Sequence, residues 1–402
     1  MRLKINPLSI ISILTLRYDL TAPSPIPKLN WNDFSKKQVS NPEKLVEELI
    51  SNYYIENLEK NSKVGISLSS GIDSTLLLAL LKKTFPDISV NSFTVHFSDS
   101  LDETKMAKNI ADKLDSTFHV IEIENYFEEL PKAISITQLP FWDIHWYYLA
   151  KYASPFSNAI ISGDGGDELF GGYTFRYDSF LEDTNTNSSK REKTISYLNC
   201  HNRDWIPEQQ QLFGENLSFD WEQIYSIFDA YFDNSLDRLD QVFLADFNGK
   251  LLYNWLTLNP KINSFFKLKS ISPFLNPNLI NYTSHIPNKM KYDPEKKIGK
   301  LILRNILKKF DVEKFVIAKK QGFSVDTKNH WEHYGHKLCK DFLIDGEIIK
   351  DKLINKKWVL DNIDKTLDVR YVNKFYGLLA LEIWYRLFIS KNLSSSEKLM
   401  AK

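Results

Sequence analysis

Four short β-rich runs separated by helical stretches constrain this chain more than any other feature. The runs are VGISL at 64–68, VNSFTVHF at 90–97, FHVIEI at 118–123 and NAIIS at 158–162, with helix-like stretches at 74–84, 103–115 and 143–153. A parallel strand pair needs a long crossover, and the crossover helix covers a face of the sheet. The alternation therefore predicts an α/β fold, a parallel sheet flanked by helices, with ligands bound beyond the carboxyl ends of the strands. Past Tyr173 the strand signal fades. Trp221–Phe232, Lys300–Lys309 and Phe375–Phe388 read as helices, so the C-terminal half is expected to be α-rich.

Residues 1–40 read as an N-terminal helix and a Pro-rich connector. The apolar run Pro7–Leu16 follows Arg2 and Lys4, as a signal-peptide core would. It is too short to span a bilayer, and no small-residue cleavage site precedes Arg17. It is expected as a short amphipathic helix docked on the body. Thr21–Trp31 holds three prolines and predicts an extended connector. The body spans 41–395, with a sheet core over 60–180 and an α-rich part over 195–390. It opens with a helix over Asn41–Leu58, where Leu45, Val46, Leu49, Ile50, Tyr53 and Tyr54 fall at helical spacing. The polar stretch at 182–194 predicts a mobile surface loop, and 396–402 a tail.

Fifty-one basic and 51 acidic side chains leave no net charge, which argues against nucleic acid or an anionic membrane as partner. An anion site must therefore be local. Cys200 and Cys339 stand alone, which argues against a disulfide scaffold, a zinc site or a thiol relay and suits a reducing cytoplasm.

Leu68-Ser69-Ser70-Gly71-Ile72-Asp73-Ser74-Thr75 directly follows one predicted strand and opens a helix that is apolar almost all round. Small residues let backbone N–H groups approach phosphate oxygens, the hydroxyls of Ser69, Ser70 and Ser74 add donors, and the helix N-terminus favours negative charge. Asp73 becomes useful if Mg²⁺ bridges it to the phosphates. No lysine lies in the loop, so it is not a Walker A element and transfer of a γ-phosphate is disfavoured. The plainer alternative is a Ser/Gly helix cap. A second loop, SGDGGDELFGGY at 162–173, follows the run NAIIS and falls on the same edge of the sheet. Asp164, Asp167 and Glu168 repel one another unless a cation sits among them, which suits a Mg²⁺–pyrophosphate site. The spacing is not that of an EF-hand calcium loop.

The first loop resembles the SGGxDS loop of the PP-loop ATP pyrophosphatases, Rossmann-like enzymes that split ATP between the α- and β-phosphates. GDGGDELFGGY resembles the acidic loop of the synthetase domain of the asparagine synthetases, a family that includes β-lactam synthetases and lasso-peptide cyclases. The similarity runs from about residue 6 to 390. It implies an ATP- and Mg²⁺-dependent carboxylate–amine ligase that forms an acyl-adenylate and releases pyrophosphate. By the resemblance, Leu68, Ser69, Ser70, Gly71, Asp73, Ser74, Val95 and Gly163 bind ATP or its pyrophosphate, and Asp73 and Asp167 hold Mg²⁺. Asp164 handles the proton of the attacking amine, and Lys320 in Lys320-Gln321-Gly322-Phe323 reaches the α-phosphate. FTVHF at 93–97, the helix after it and His119 resemble the part that encloses the adenosine, and GKLILRNIL at 299–307 also matches.

The departures are informative. The family usually carries an N-terminal glutaminase domain with a cysteine at position two, where this chain has Arg2, so the expected nitrogen donor is ammonia or an amine, or ammonia from a separate glutaminase subunit. Ile271 and Asn276 stand where the family's acceptor segment has Arg and Asp, and PKINSF at 260–265 replaces a further motif, which leaves the carboxylate substrate open. Two other readings compete: a PP-loop enzyme that modifies RNA, and a non-catalytic nucleotide-binding relative.

Overall fold

The computed structural model describes residues 6–36, 39–97, 103–316, 327–364 and 368–400. Five parallel strands form the central sheet: β1 Lys63–Ser67, β2 Ser89–Phe97, β3 Thr117–Ile123, β4 Ala159–Ile161 and β5 Lys269–Ile271, in the order β3-β2-β1-β4-β5. The expected fold class holds, and the order reverses direction at β1. Strands added to one side of β1 and then to the other leave a crevice between the loops after β1 and β4, where doubly wound sheets bind ligands. Ile66 pairs with Ile161, so the two motif loops leave the sheet side by side.

The helix after β1, Ile72–Thr84, is buried at nine of its 13 positions, as its all-round apolar sequence demands. Lys82 and Lys83 complement its C-terminal dipole. Below the sheet edge, Pro42–Asn57 buries Val46, Ile50 and Tyr54, and the Tyr54 hydroxyl donates to the Leu77 carbonyl at 3.0 Å.

Several expectations need correction. The N-terminal helix Pro7–Leu16 is not amphipathic: all seven residues from Ile10 to Leu16 are buried. Its end is held by Gln209, whose Nε2 donates to the Leu14 carbonyl at 3.1 Å, and by Lys374 of the C-terminal helix Val369–Phe388. The polar stretch 182–194 is not a loop throughout. Ser189 and Glu192 form a reciprocal capping box that starts the helix Lys190–Asn199 inside it. The tail is docked: Leu399 is buried and its N–H donates to the Glu128 carbonyl at 2.9 Å. Lys300 does not begin a helix but precedes one, Leu301–Leu307, as a left-handed residue with φ 58°. Finally, β5 was not anticipated: two of its three residues, Lys269 and Ser270, are exposed polar ones, whereas the equally short β4 is wholly apolar and buried. No helix among the described residues is long and apolar enough to cross a membrane.

Candidate active site

The loop after β1 is drawn tight by its own hydroxyls. Leu68 is buried, and both its backbone groups are engaged, the N–H by the Phe93 carbonyl at 2.9 Å and the carbonyl by the Thr94 hydroxyl at 2.6 Å. The Ser69 and Ser74 hydroxyls lie 3.1 Å apart, and the Gly71 N–H donates to Ser69 Oγ at 3.1 Å. Ser70 is fully buried and donates to Glu103 Oε2 at 2.8 Å, so its hydroxyl braces the loop from behind. Leu68 and Ser70 thus shape the loop, while Ser69, Gly71 and Ser74 stand at the helix N-terminus. Val95 lies buried on β2 beside Ile121. His119 bonds Asn91 at 2.9 Å and packs against the rings of Phe93 and Phe156, each 4.8 Å from it.

The acidic loop is packed directly onto Asp73. A Cβ at Gly163 would lie 3.3 Å from Asp73 Cβ, and one at Gly166 2.8 Å from Asp73 Cγ. Gly165 has φ 92°, a conformation that other residues adopt only under strain. The chain then enters the short helix Gly166–Phe170, which carries Asp167 in its first turn.

What joins the two loops is Lys300. Its buried ammonium contacts Asp73 Oδ2 and lies 2.6 Å from Asp167 Oδ1. Burial works against its charge, but the Asp167 and Asp73 carboxylates outweigh it and hold its pKa above the usual lysine range. The left-handed backbone and the bond from the Lys300 N–H to the Phe170 carbonyl, 3.0 Å, fix it there. Arg304, one turn on, lies in the field of Asp73 and donates Nε to the Gly299 carbonyl at 3.0 Å. Sequence reasoning matched GKLILRNIL to the family but did not single out Lys300. A lysine directly before an apolar helix, four residues from an arginine, was the available signal.

Asp164 lies on the other flank of the loop. The Asn259 amide donates to its Oδ2 at 3.0 Å, and burial raises its pKa against the hydrogen bonds from Ser162 and Asn259. Glu168 is buried and accepts from the Tyr173 hydroxyl at 2.7 Å; burial and the neighbouring Asp167 raise its pKa. It serves the loop from within. Lys320 and the rest of its K-x-G-F segment lie outside the described residues.

Comparison with known proteins settles the kinship. Residues 45–386 match the asparagine synthase family model. The chain belongs to the asparagine synthase family. A glutamine-hydrolysing asparagine synthetase 1 of Bacillus subtilis is 24% identical over 393 residues, covering 88% of this chain and 61% of that protein. A putative glutamine-hydrolysing asparagine synthetase 2 of Methanocaldococcus jannaschii is 31% identical over 162 residues, 38% of this chain and 31% of that protein. This family member thus spans less than two thirds of the length of those relatives. Among solved structures, an NMN synthetase from Francisella tularensis aligns at 15% identity over 60% of this chain and 94% of its own, with a TM-score of 0.25. An NH3-dependent NAD synthetase from Campylobacter jejuni aligns at 18% identity over 36% and 61%, with a TM-score of 0.24.

The residues present fit a hard divalent cation of the kind the family implies. Asp73 and Asp167 offer oxygen ligands around a point already taken by a positive charge, the Lys300 ammonium. Among the described residues no cluster of three or more acidic, His or Cys groups forms a cage of its own. Two carboxylates with the remaining positions filled by phosphate oxygens and water is the usual Mg²⁺ arrangement.

Proposed function

We propose that this chain activates a carboxylic acid with ATP, releases pyrophosphate, and transfers the acyl group to ammonia or an amine. One observation carries the reading: two strand-end loops, one at a helix N-terminus and one acidic, meet on a single buried lysine. In the first step a carboxylate oxygen attacks the α-phosphorus and the bond to the pyrophosphate breaks. The loop at Ser69–Ser74 receives the pyrophosphate on backbone N–H groups, with Lys300 and Arg304 at hand for its charge. Mg²⁺, held by Asp73 and Asp167, would neutralise phosphate charge when bound. In the second step the amine nitrogen bonds to the acyl carbon and AMP leaves. Asp164 takes the proton the nitrogen sheds, and its raised pKa brings it nearer the working range of a general base. Lys320 is assigned to the α-phosphate by its match to the family segment alone.

The test is product analysis with Mg²⁺-ATP, ammonium and a panel of amino acids and small carboxylic acids. AMP and pyrophosphate in equal amounts are expected with at least one acid. ADP and inorganic phosphate would sink the proposal, as would no nucleotide cleavage with any acid.

A further inference from the structure

The loop after β1 is anchored differently along its length. Leu68 is tied to β2 through Phe93 and Thr94. Ser69, Gly71, Ser74 and Thr75 bond within the loop and the first turn of its helix, where the Thr75 hydroxyl donates to the Gly71 carbonyl at 2.7 Å. Ser70 lies between these anchors, fully buried, and its hydroxyl leaves the loop to donate to Glu103 Oε2 at 2.8 Å. The SGGxDS loop that this segment resembles has glycine at the position of Ser70, and glycine has no hydroxyl to give. The bond therefore belongs to this chain's own sequence.

Glu103 is half-buried and heads the helix Thr104–Lys113, the crossover from β2 to β3. Its carbonyl accepts the Ala107 N–H at 3.0 Å, and Ala107, Ile110 and Ala111 bury the inner face of that helix. Since β1 and β2 run side by side, with Ser67 beside Phe93, the bond joins the loop after one strand to the helix after its neighbour. A carboxylate behind an anion cradle opposes the charge of the ligand. Offsetting that is a charge-assisted O–H···O⁻ bond, about twice as strong as a neutral one. Because Ser70 is buried, turning its hydroxyl away from Glu103 would strand a donor out of water. The middle of the loop is thus held where Glu103 puts it. The Ser70 hydroxyl, expected from the sequence to add a donor for phosphate, is committed to that carboxylate instead.

We propose that Glu103 is a positioning residue for the nucleotide step, setting the shape of the pyrophosphate cradle through Ser70. The assignment rests on the reading of this loop given under the proposed function. Glu103 touches no reacting atom in this scheme; it fixes the turn whose backbone N–H groups receive the pyrophosphate.

The experiment compares wild type with Ser70→Ala, Glu103→Ala, Glu103→Gln and the double variant Ser70→Ala/Glu103→Ala. Calorimetry measures binding of the α,β-methylene analogue of ATP with Mg²⁺, and isotope exchange between pyrophosphate and ATP measures activation. Each alanine variant should bind the analogue about tenfold to a hundredfold more weakly, the range of a hydrogen bond to a charged group. The double variant should be no weaker than the weaker single one, because both remove the same bond. Glu103→Gln keeps an acceptor oxygen while losing the opposing charge, and should stay within about threefold of wild type. In exchange, the KM for ATP should rise by the same factor in the alanine variants while the KM for the acid stays within about twofold. Unchanged affinity in either alanine variant, or losses that multiply in the double variant, overturns the proposal. So does a lowered unfolding midpoint with affinity kept, which would make the bond structural only. Tighter binding by both Glu103 variants would show an opposing charge and nothing more, and would overturn it too. If no acid supports exchange, the amidation reading fails separately, and calorimetry still decides whether Glu103 acts on the nucleotide.

Discussion

Replacing Lys300 by methionine would keep the aliphatic stem and remove the ammonium that contacts both Asp73 and Asp167. The three side chains are 8%, 20% and 16% exposed, so solvent screens their interaction only in part. Breaking a buried pair by deleting one partner costs about 3–5 kcal/mol, against about 0–1 kcal/mol for an exposed pair. Because the two carboxylates keep some solvent contact, a loss of about 3 kcal/mol is expected, measured by urea unfolding near neutral pH with chelator present. In the variant the carboxylates repel each other, their pKa values rise, and the deficit should shrink on acidification as they take up protons. In the wild type the raised lysine pKa works in the other direction. Its stabilisation is complete below the unfolded lysine value, about pH 10, and is lost only as pH rises through the higher folded value. Divalent cation should restore part of the variant's loss, and Mn²⁺ binding without nucleotide, followed by electron paramagnetic resonance, should be tighter in the variant than in wild type. A stability loss under about 1 kcal/mol, together with unchanged Mn²⁺ binding, would refute the idea that Lys300 stands in the cation position.

Three further outcomes follow from the same geometry. Asp164→Asn should lower amide formation by about 10²–10⁴ while sparing pyrophosphate–ATP exchange, and equal loss of both activities would remove Asp164 from the amine step. Gly172→Ala would place a Cβ 1.8 Å from Asp167 Oδ1 and 2.5 Å from Lys300 Cε. It should destabilise by about 1–3 kcal/mol and depress exchange, so a fully active, equally stable variant would contradict the packing. His330, buried and bonded to the Tyr376 hydroxyl at 2.8 Å, has its pKa lowered by burial to about 4. Since the unfolded chain takes up that proton first, stability should fall by up to about 3 kcal/mol as pH drops from about 6.5 to 4. His330→Gln should flatten that slope in pH-dependent unfolding, and an unchanged slope would assign the acid sensitivity elsewhere.

The first four strands and the loops that follow β1 and β4 were legible because their signals are local. Val64 and Ile66 alternate with small residues, LLLALL at 76–81 is apolar all round, and glycines gather where backbone must approach Asp73. Where the reading failed, tertiary contacts overrode local pattern. The N-terminal helix has an apolar composition that fits burial on every side, but only the packing of Gln209 and Lys374 on its end reveals that it is enclosed. The polar stretch at 182–194 reads as a loop because its composition masks the capping box at Ser189 and Glu192.

The candidate site divides along the same line. Sequence alone marked Asp73, Asp164 and Asp167, because carboxylates crowded with glycines at strand ends have few other uses. It could not mark Lys300, which reaches Asp73 across 227 residues, or Asn259, which reaches Asp164 across 95. Residue type and spacing record what a segment does for itself, whereas a partner brought from the far half of the chain is fixed by the packing of helices against the sheet. That packing alone decides which lysine is buried between two carboxylates.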